Sequence, residues 1–104
     1  MAIDRIASFR ALIAKAPQDP FPRYGLAMEF RSRGELEAAA AAFDELIAAF
    51  PDYVPSYLMA GGVAGKLGRP DTARGLFQRG IEVATARGDS HARGELQSAL
   101  AEVA

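Results

Sequence analysis

The sequence predicts an all-α fold, a stack of antiparallel helix hairpins with about six helices. Three observations predict it. First, the chain repeats itself with a period of 34 residues: Gly34 recurs as Gly68, Ala39 as Ala73, Phe43 as Phe77 and Ile47 as Ile81, with Ala27 over Gly61. The same step backward puts Phe43 on Phe9, Leu46 on Leu12, Ile47 on Ile13 and Pro51 on Pro17. A fixed period of this length marks a stacked architecture in which each unit buries a face that its neighbour supplies. Second, alanine contributes 22 of 104 residues and strand-favouring residues are sparse, which is a helical composition. Third, the breaks between apolar stripes span only two to four residues, too short for anything but antiparallel neighbours. The result is a stack of hairpins rather than a closed bundle.

The first helix is expected over about residues 3–16, with Ile6, Phe9, Leu12, Ile13 and Ala16 on one face at three- and four-residue spacing. Pro17 stops it. Asp19 can accept an orphan N–H as the cap of the second helix, with Pro20 at its first position. That helix turns Leu26, Ala27 and Phe30 inward and ends before Gly34, the residue suited to a left-handed turn. Glu35 and Glu37 are expected in the first turn of the third helix, where the helix dipole favours acids. Its alanine run, 38–42, precedes a stripe of Phe43, Leu46 and Ile47, and Pro51 ends it. The fourth helix is expected to open at Asp52 or Tyr53, with Pro55 tolerated in its first turn, and to stop at Gly68. The fifth begins at Pro70–Asp71 and carries Ala73, Phe77, Gly80, Ile81 and Ala84 until Gly88. The sixth runs from Asp89 or Ser90 to about Val103, with Leu96, Ala99, Leu100 and Val103 on one side.

Bulk properties exclude several classes of function. The length is that of one domain, and half the residues are apolar, enough for a core. The formal charge is −1 with acids and bases interspersed, whereas a nucleic-acid surface gathers Lys and Arg on one face; Arg31 and Arg33 are too thin a cluster. There is no cysteine, hence no disulfide, thiol chemistry or thiolate zinc site. Asp4, Arg5 and Arg10 interrupt the start, so a secretory signal is not expected. No apolar run approaches a bilayer's thickness. A cytoplasmic protein without membrane partners or cofactors is the expectation.

No catalytic constellation emerges. His91 is the single histidine, near the start of the last helix, and reads as a surface residue. Ser8, Ser32, Ser56, Ser90 and Ser98 lie apart, none framed as a nucleophile turn. The stretch 60–67 lacks the first glycine of a phosphate loop, has Leu67 in place of Ser or Thr, and follows no strand.

These residues resemble the tetratricopeptide repeat. Its spacing of large, small and aromatic residues is met by Tyr24 (one place late), Leu26, Ala27, Phe30, Gly34, Ala39, Phe43 and Pro51. One period on it is met by Tyr57, Gly61, Gly68, Ala73, Phe77 and Gly80. The chain departs from the pattern at Leu46, Ala60, Ala64 and Thr85. The resemblance implies a right-handed superhelix with complete repeats at 20–53 and 54–87. Residues 3–17 then form a half repeat lacking its first helix, and 89–103 a capping helix. Arg5 in place of Ala39 and Ala73, and the polar Gln97 in the last helix, suit such open ends.

The resemblance further implies a concave groove, lined by first helices, that receives a peptide or helix of a partner protein. It places there Phe21, Tyr24, Met28, Arg31 and Ser32 from one repeat, and Pro55, Leu58, Gly62, Gly65 and Lys66 from the next. Apolar residues bordered by Tyr, Met and Arg suit an interface core. The carboxylate-clamp subtype wants Asn where Gly25 and Met59 stand, and is disfavoured. Gly62 and Gly65, each unfavourable in a helix, are expected to floor a notch walled by Tyr24, Met28 and Leu58. Either a partner occupies that notch, or Leu96 or Leu100 fills it from within. The alternative function is self-association, with another copy filling the groove or the stack end; an enzyme is not expected.

Overall fold

The computed structural model describes residues 4–103, and the chain folds into six α-helices: α1 (Arg5–Lys15), α2 (Pro20–Ser32), α3 (Leu36–Ala49), α4 (Pro55–Lys66), α5 (Pro70–Ala86) and α6 (Ser90–Glu102). Successive helices pack as neighbours, α6 also touches α4, and the stack measures 43 × 29 × 20 Å. It is an all-α helical-repeat superhelix. Among the described residues no helix is long and apolar enough to cross a membrane.

The ends of the helices follow from local chemistry. Asp19 accepts from the Phe21 N–H at 3.0 Å with Pro20 at N1, as the sequence suggests. Asp4 caps α1 in the same way, accepting from Ile6 and Ala7, so the helix begins at Arg5; the expected start at Ile3 lies outside the described residues. Asp89 caps α6 through Ala92 N–H. Gly34, Gly68 and Gly88 take φ of 76°, 73° and 70°, and the next residue's amide reaches back five residues each time. Glu35 N–H donates to Phe30 O, Arg69 to Ala64 O and Asp89 to Ala84 O, all at 2.9 Å. This closure satisfies carbonyls that a helix end otherwise orphans, and its left-handed residue disfavours any Cβ.

Two boundaries differ from expectation. Glu35 stands one place before α3, in the cap position but with no side-chain capping bond, while its amide closes the end of α2. The turn 50–54 delays α4 to Pro55: Tyr53 N–H bonds Phe50 O at 3.1 Å, and Val54 is already αR. The fifth helix runs from Pro70 towards Gly88 as expected, with 17 residues where α3 has 14. Thr85 occupies the place that Pro51 holds one period earlier, so the helix runs on, with Thr85 Oγ1 donating to Ile81 O at 2.7 Å.

The core lies between the helices of each hairpin and across the hairpin junctions. Phe43, Leu46, Tyr57 and Val63 are completely buried, with Phe77 at 5% and Leu96 at 1% exposure. Small residues let the helices approach: Ala27, Ala39, Ala73 and Gly61 are buried, and a Cβ on Gly61 would run into the Phe77 ring. Gly80 admits Tyr57 from one side and Leu96 from the other, with a Cβ there falling 2.6 Å from Tyr57 Cβ. The Tyr57 hydroxyl donates to Pro51 O at 2.5 Å, tying α4 to the preceding turn. Arg79 lies 5.6 Å above the Tyr57 ring centre, within cation–π range.

Candidate protein-binding face

The residues expected to share one groove line three separate hollows. The largest, about 680 Å³, lies between α1 and α2 and gathers Phe21, Tyr24, Met28, Arg31 and Ser32. A second, about 300 Å³, runs between α4 and α6, where Leu58 and Pro55 face Ala92 and Leu96, with Tyr24 at the border. The third, about 440 Å³, holds Gly62 and Gly65. Lys66 is exposed, outside all three.

The glycine notch is real but its walls are not those expected. Tyr24, Met28 and Leu58 do not border it; Ala73 and Phe77 of α5 and Ala99 and Val103 of α6 do. The reason is the extra turn of α5 and the placement of α6, whose C-terminal half comes over the end of α4. Leu96 does not fill the notch either, because it is spent on Gly80 and Tyr57. A Cβ on Gly62 or Gly65 meets nothing within 4 Å, whereas Met28, the period mate of Gly62, packs partly against the core.

The hollow between α1 and α2 has the most pronounced surface chemistry. Phe21 is 64% and Leu12 48% exposed, the exposed large hydrophobics among the described residues, and both line it. Its floor is closed by Phe9, whose ring occupies the space where Gly25 has no side chain. Tyr24 makes edge contacts with Phe43 at 6.3 Å and Tyr53 at 5.7 Å. Burial, and then Tyr53, push its phenol pKa up, while Arg31 opposes the shift. At the polar end Glu29 accepts from Arg33 Nε at 3.0 Å and pairs with Arg5 at 3.6 Å. The Arg33 hydrogen bond is the main reason its carboxyl is held below the usual range, against partial desolvation; the same bond keeps Arg33 more firmly protonated.

Sequence reasoning missed the contribution of α1 and α6 to this face. Arg5, Ser8 and Leu12 line the first hollow, and Asp89, His91 and Glu95 the second. The signal for Leu12 was its place in the apolar stripe one period before Leu46, which is completely buried while Leu12 is exposed. His91 lies 3.2 Å from Glu95 and is exposed. Among the described residues no group of His, Asp and Glu comes together as a metal site.

Solved structures match this architecture. The crystal structure of a tetratricopeptide repeat domain protein from Salinibacter ruber is 39% identical, covering 82% of this chain and 96% of its own, with a TM-score of 0.78. This chain belongs to the tetratricopeptide repeat family. A solution structure of a tetratricopeptide repeat domain protein from the same organism agrees, at 39% identity, 84% and 88% coverage and a TM-score of 0.79. A Bordetella parapertussis protein, 20% identical, shares the fold with a TM-score of 0.82 over 98% of this chain and 89% of its own. No protein-family model and no curated protein matches the sequence. The tetratricopeptide fold is in general a protein-interaction module and a non-enzymatic scaffold.

Proposed function

We propose that this tetratricopeptide repeat protein is a non-enzymatic adaptor that binds a peptide or helix of a partner protein along the side lined by α2, α4 and α6. The repeats would span 20–53 and 54–87, with 3–17 as an N-terminal half repeat and 89–103 as the cap. The observation that carries the reading is the clustering of surface apolar groups and open hollows on these helices. Phe21, Tyr24, Met28 and Leu58 supply apolar contact, Arg31 and Lys66 the charged border, and Gly62 and Gly65 a recess. Such a mixture of aromatic, Met and Arg residues is what protein interfaces concentrate.

The test is site-specific photo-crosslinking in cells, with the probe at Leu58 or Gly62 and, as control, at exposed Glu45 on α3. Both α4 positions should capture the same partner and Glu45 should not. Identical captures from all three positions, or products containing only this chain, would reject the adaptor; the second result would favour self-association.

A further inference from the structure

Within one chain the same helix environment occurs once filled and once open. The inward stripe of α3, Ala39, Phe43 and Leu46, lies under α2, and Phe43 and Leu46 are completely buried. The period mates on α1 are Arg5, Phe9 and Leu12. Of these, Phe9 is half-buried against Gly25 of α2 and Arg5 pairs with Glu29, but α1 has no buried residue, and Leu12 is 48% exposed beside Phe21 at 64%. The hollow of about 680 Å³ between α1 and α2 therefore leaves open a stripe whose counterpart on α3 is covered.

Its charge narrows the occupant. Arg5 stands where the filled site has Ala39, and Arg31 lines the hollow with no acidic partner among the described residues. The one acid in the lining, Glu29, is already held by Arg33 at 3.0 Å and Arg5 at 3.6 Å. The polar end thus carries a positive excess, and Leu12, two helical turns from Arg5 or about 10 Å along α1, sets the apolar end. We propose that this hollow is the seat of one amphipathic helix from a partner protein, with an acidic residue facing Arg31 and apolar residues over Leu12 and Phe21. This deepens the adaptor reading and rests on it.

A second copy of this chain is a poor occupant by way of α6. The exposed positions of that helix include the acids Glu95 and Glu102 but no large apolar side chain to cover Leu12 and Phe21. An acidic, apolar-faced helix is complementary to both ends, and complementary charge sets partner choice more than raw affinity.

Synthetic peptides test this on the full chain. One carries the apolar stripe of α2 (Leu26, Ala27 and Phe30) with glutamates at the rim positions, a second has lysines there, and a third scrambles the acidic sequence. Binding is read by fluorescence anisotropy and mapped by amide chemical shifts. The acidic peptide should bind about tenfold more tightly than the basic one, with shifts centred on Ser8, Leu12, Phe21 and Met28. Arg31→Glu should reverse that preference, Arg31→Gln should cancel it, and Leu12→Ser with Phe21→Ser should weaken both peptides. Thermal melts check that each variant is folded. Equal binding of both charges, equal binding of the scrambled peptide, no binding, or shifts centred on α4 and α6 would each overturn the proposal. So would a dimer in light scattering whose contact maps to Leu12 and Phe21. The adaptor reading would survive these failures, because its crosslinking positions on α4 lie outside this hollow.

Discussion

Two adjacent glycines show how differently one residue type acts one position apart. Gly61 faces Phe77 so closely that a Cβ would enter the ring, whereas Gly62 faces open space. Gly62→Ala should therefore raise stability by up to about 1 kcal/mol, the intrinsic helix gain. Gly61→Ala should lower it by about 1–3 kcal/mol, as overpacking does. Urea denaturation of the two variants decides the matter, and equal shifts would contradict the packing. Phe43 is completely buried where α2, α3 and Tyr24 meet. Phe43→Ala should cost about 3–5 kcal/mol, a large share of the roughly 5–15 kcal/mol that holds a domain folded, so most of the chain should unfold. The Glu29 carboxyl, lowered chiefly by its Arg33 hydrogen bond, ties stability to acid. Its folded pKa lies below its unfolded one, so the contribution is present above the unfolded value and is lost as pH falls through the folded one. Carbon-detected NMR titration should show Arg33→Ala bringing the Glu29 pKa upward, with the acid-side loss of stability correspondingly smaller.

At the scale of helices, burial ranks the elements. Although α1 and α3 share their stripe, α3 buries Ala39, Ala42, Phe43, Leu46 and Ile47, and α1 buries none. Local opening follows buried apolar contact, so hydrogen exchange should be much faster in α1 than at the corresponding amides of α3. Similar protection in both would mean that α1 is covered in solution. At the other end, Leu96 anchors α6 against Gly80 and Tyr57. Deleting 89–104 should uncover Tyr57 and the inner side of α5, and the shortened chain should aggregate or dimerise, since repeat stacks need a polar-faced terminal element. Size-exclusion with light scattering reads this directly; an unchanged monomer with an unchanged melting temperature would deny α6 a capping role.

Across the whole molecule, the helix count, the hairpin order and the buried stripes of α3 and α5 could be read from the residues alone. Those features are written in local chemistry and periodicity: Asp19 before Pro20, Gly34 and Gly68 at left-handed turns, Phe43 and Phe77 at one spacing. The family resemblance was legible for the same reason, because two matched periods leave little freedom. How the outer surfaces divide is set by the packing of whole helices. Phe21, Leu58 and Gly62 all lie on α2 or α4, at positions expected to share one groove, yet they line three hollows. That division depends on α5 running one turn past its mate and on α6 closing over the end of α4. Periodicity describes what each repeat has in common, and these surfaces arise where the repeats differ or stop. Their shape comes from the relative placement of whole helices, to which the spacing of residues within one helix is blind.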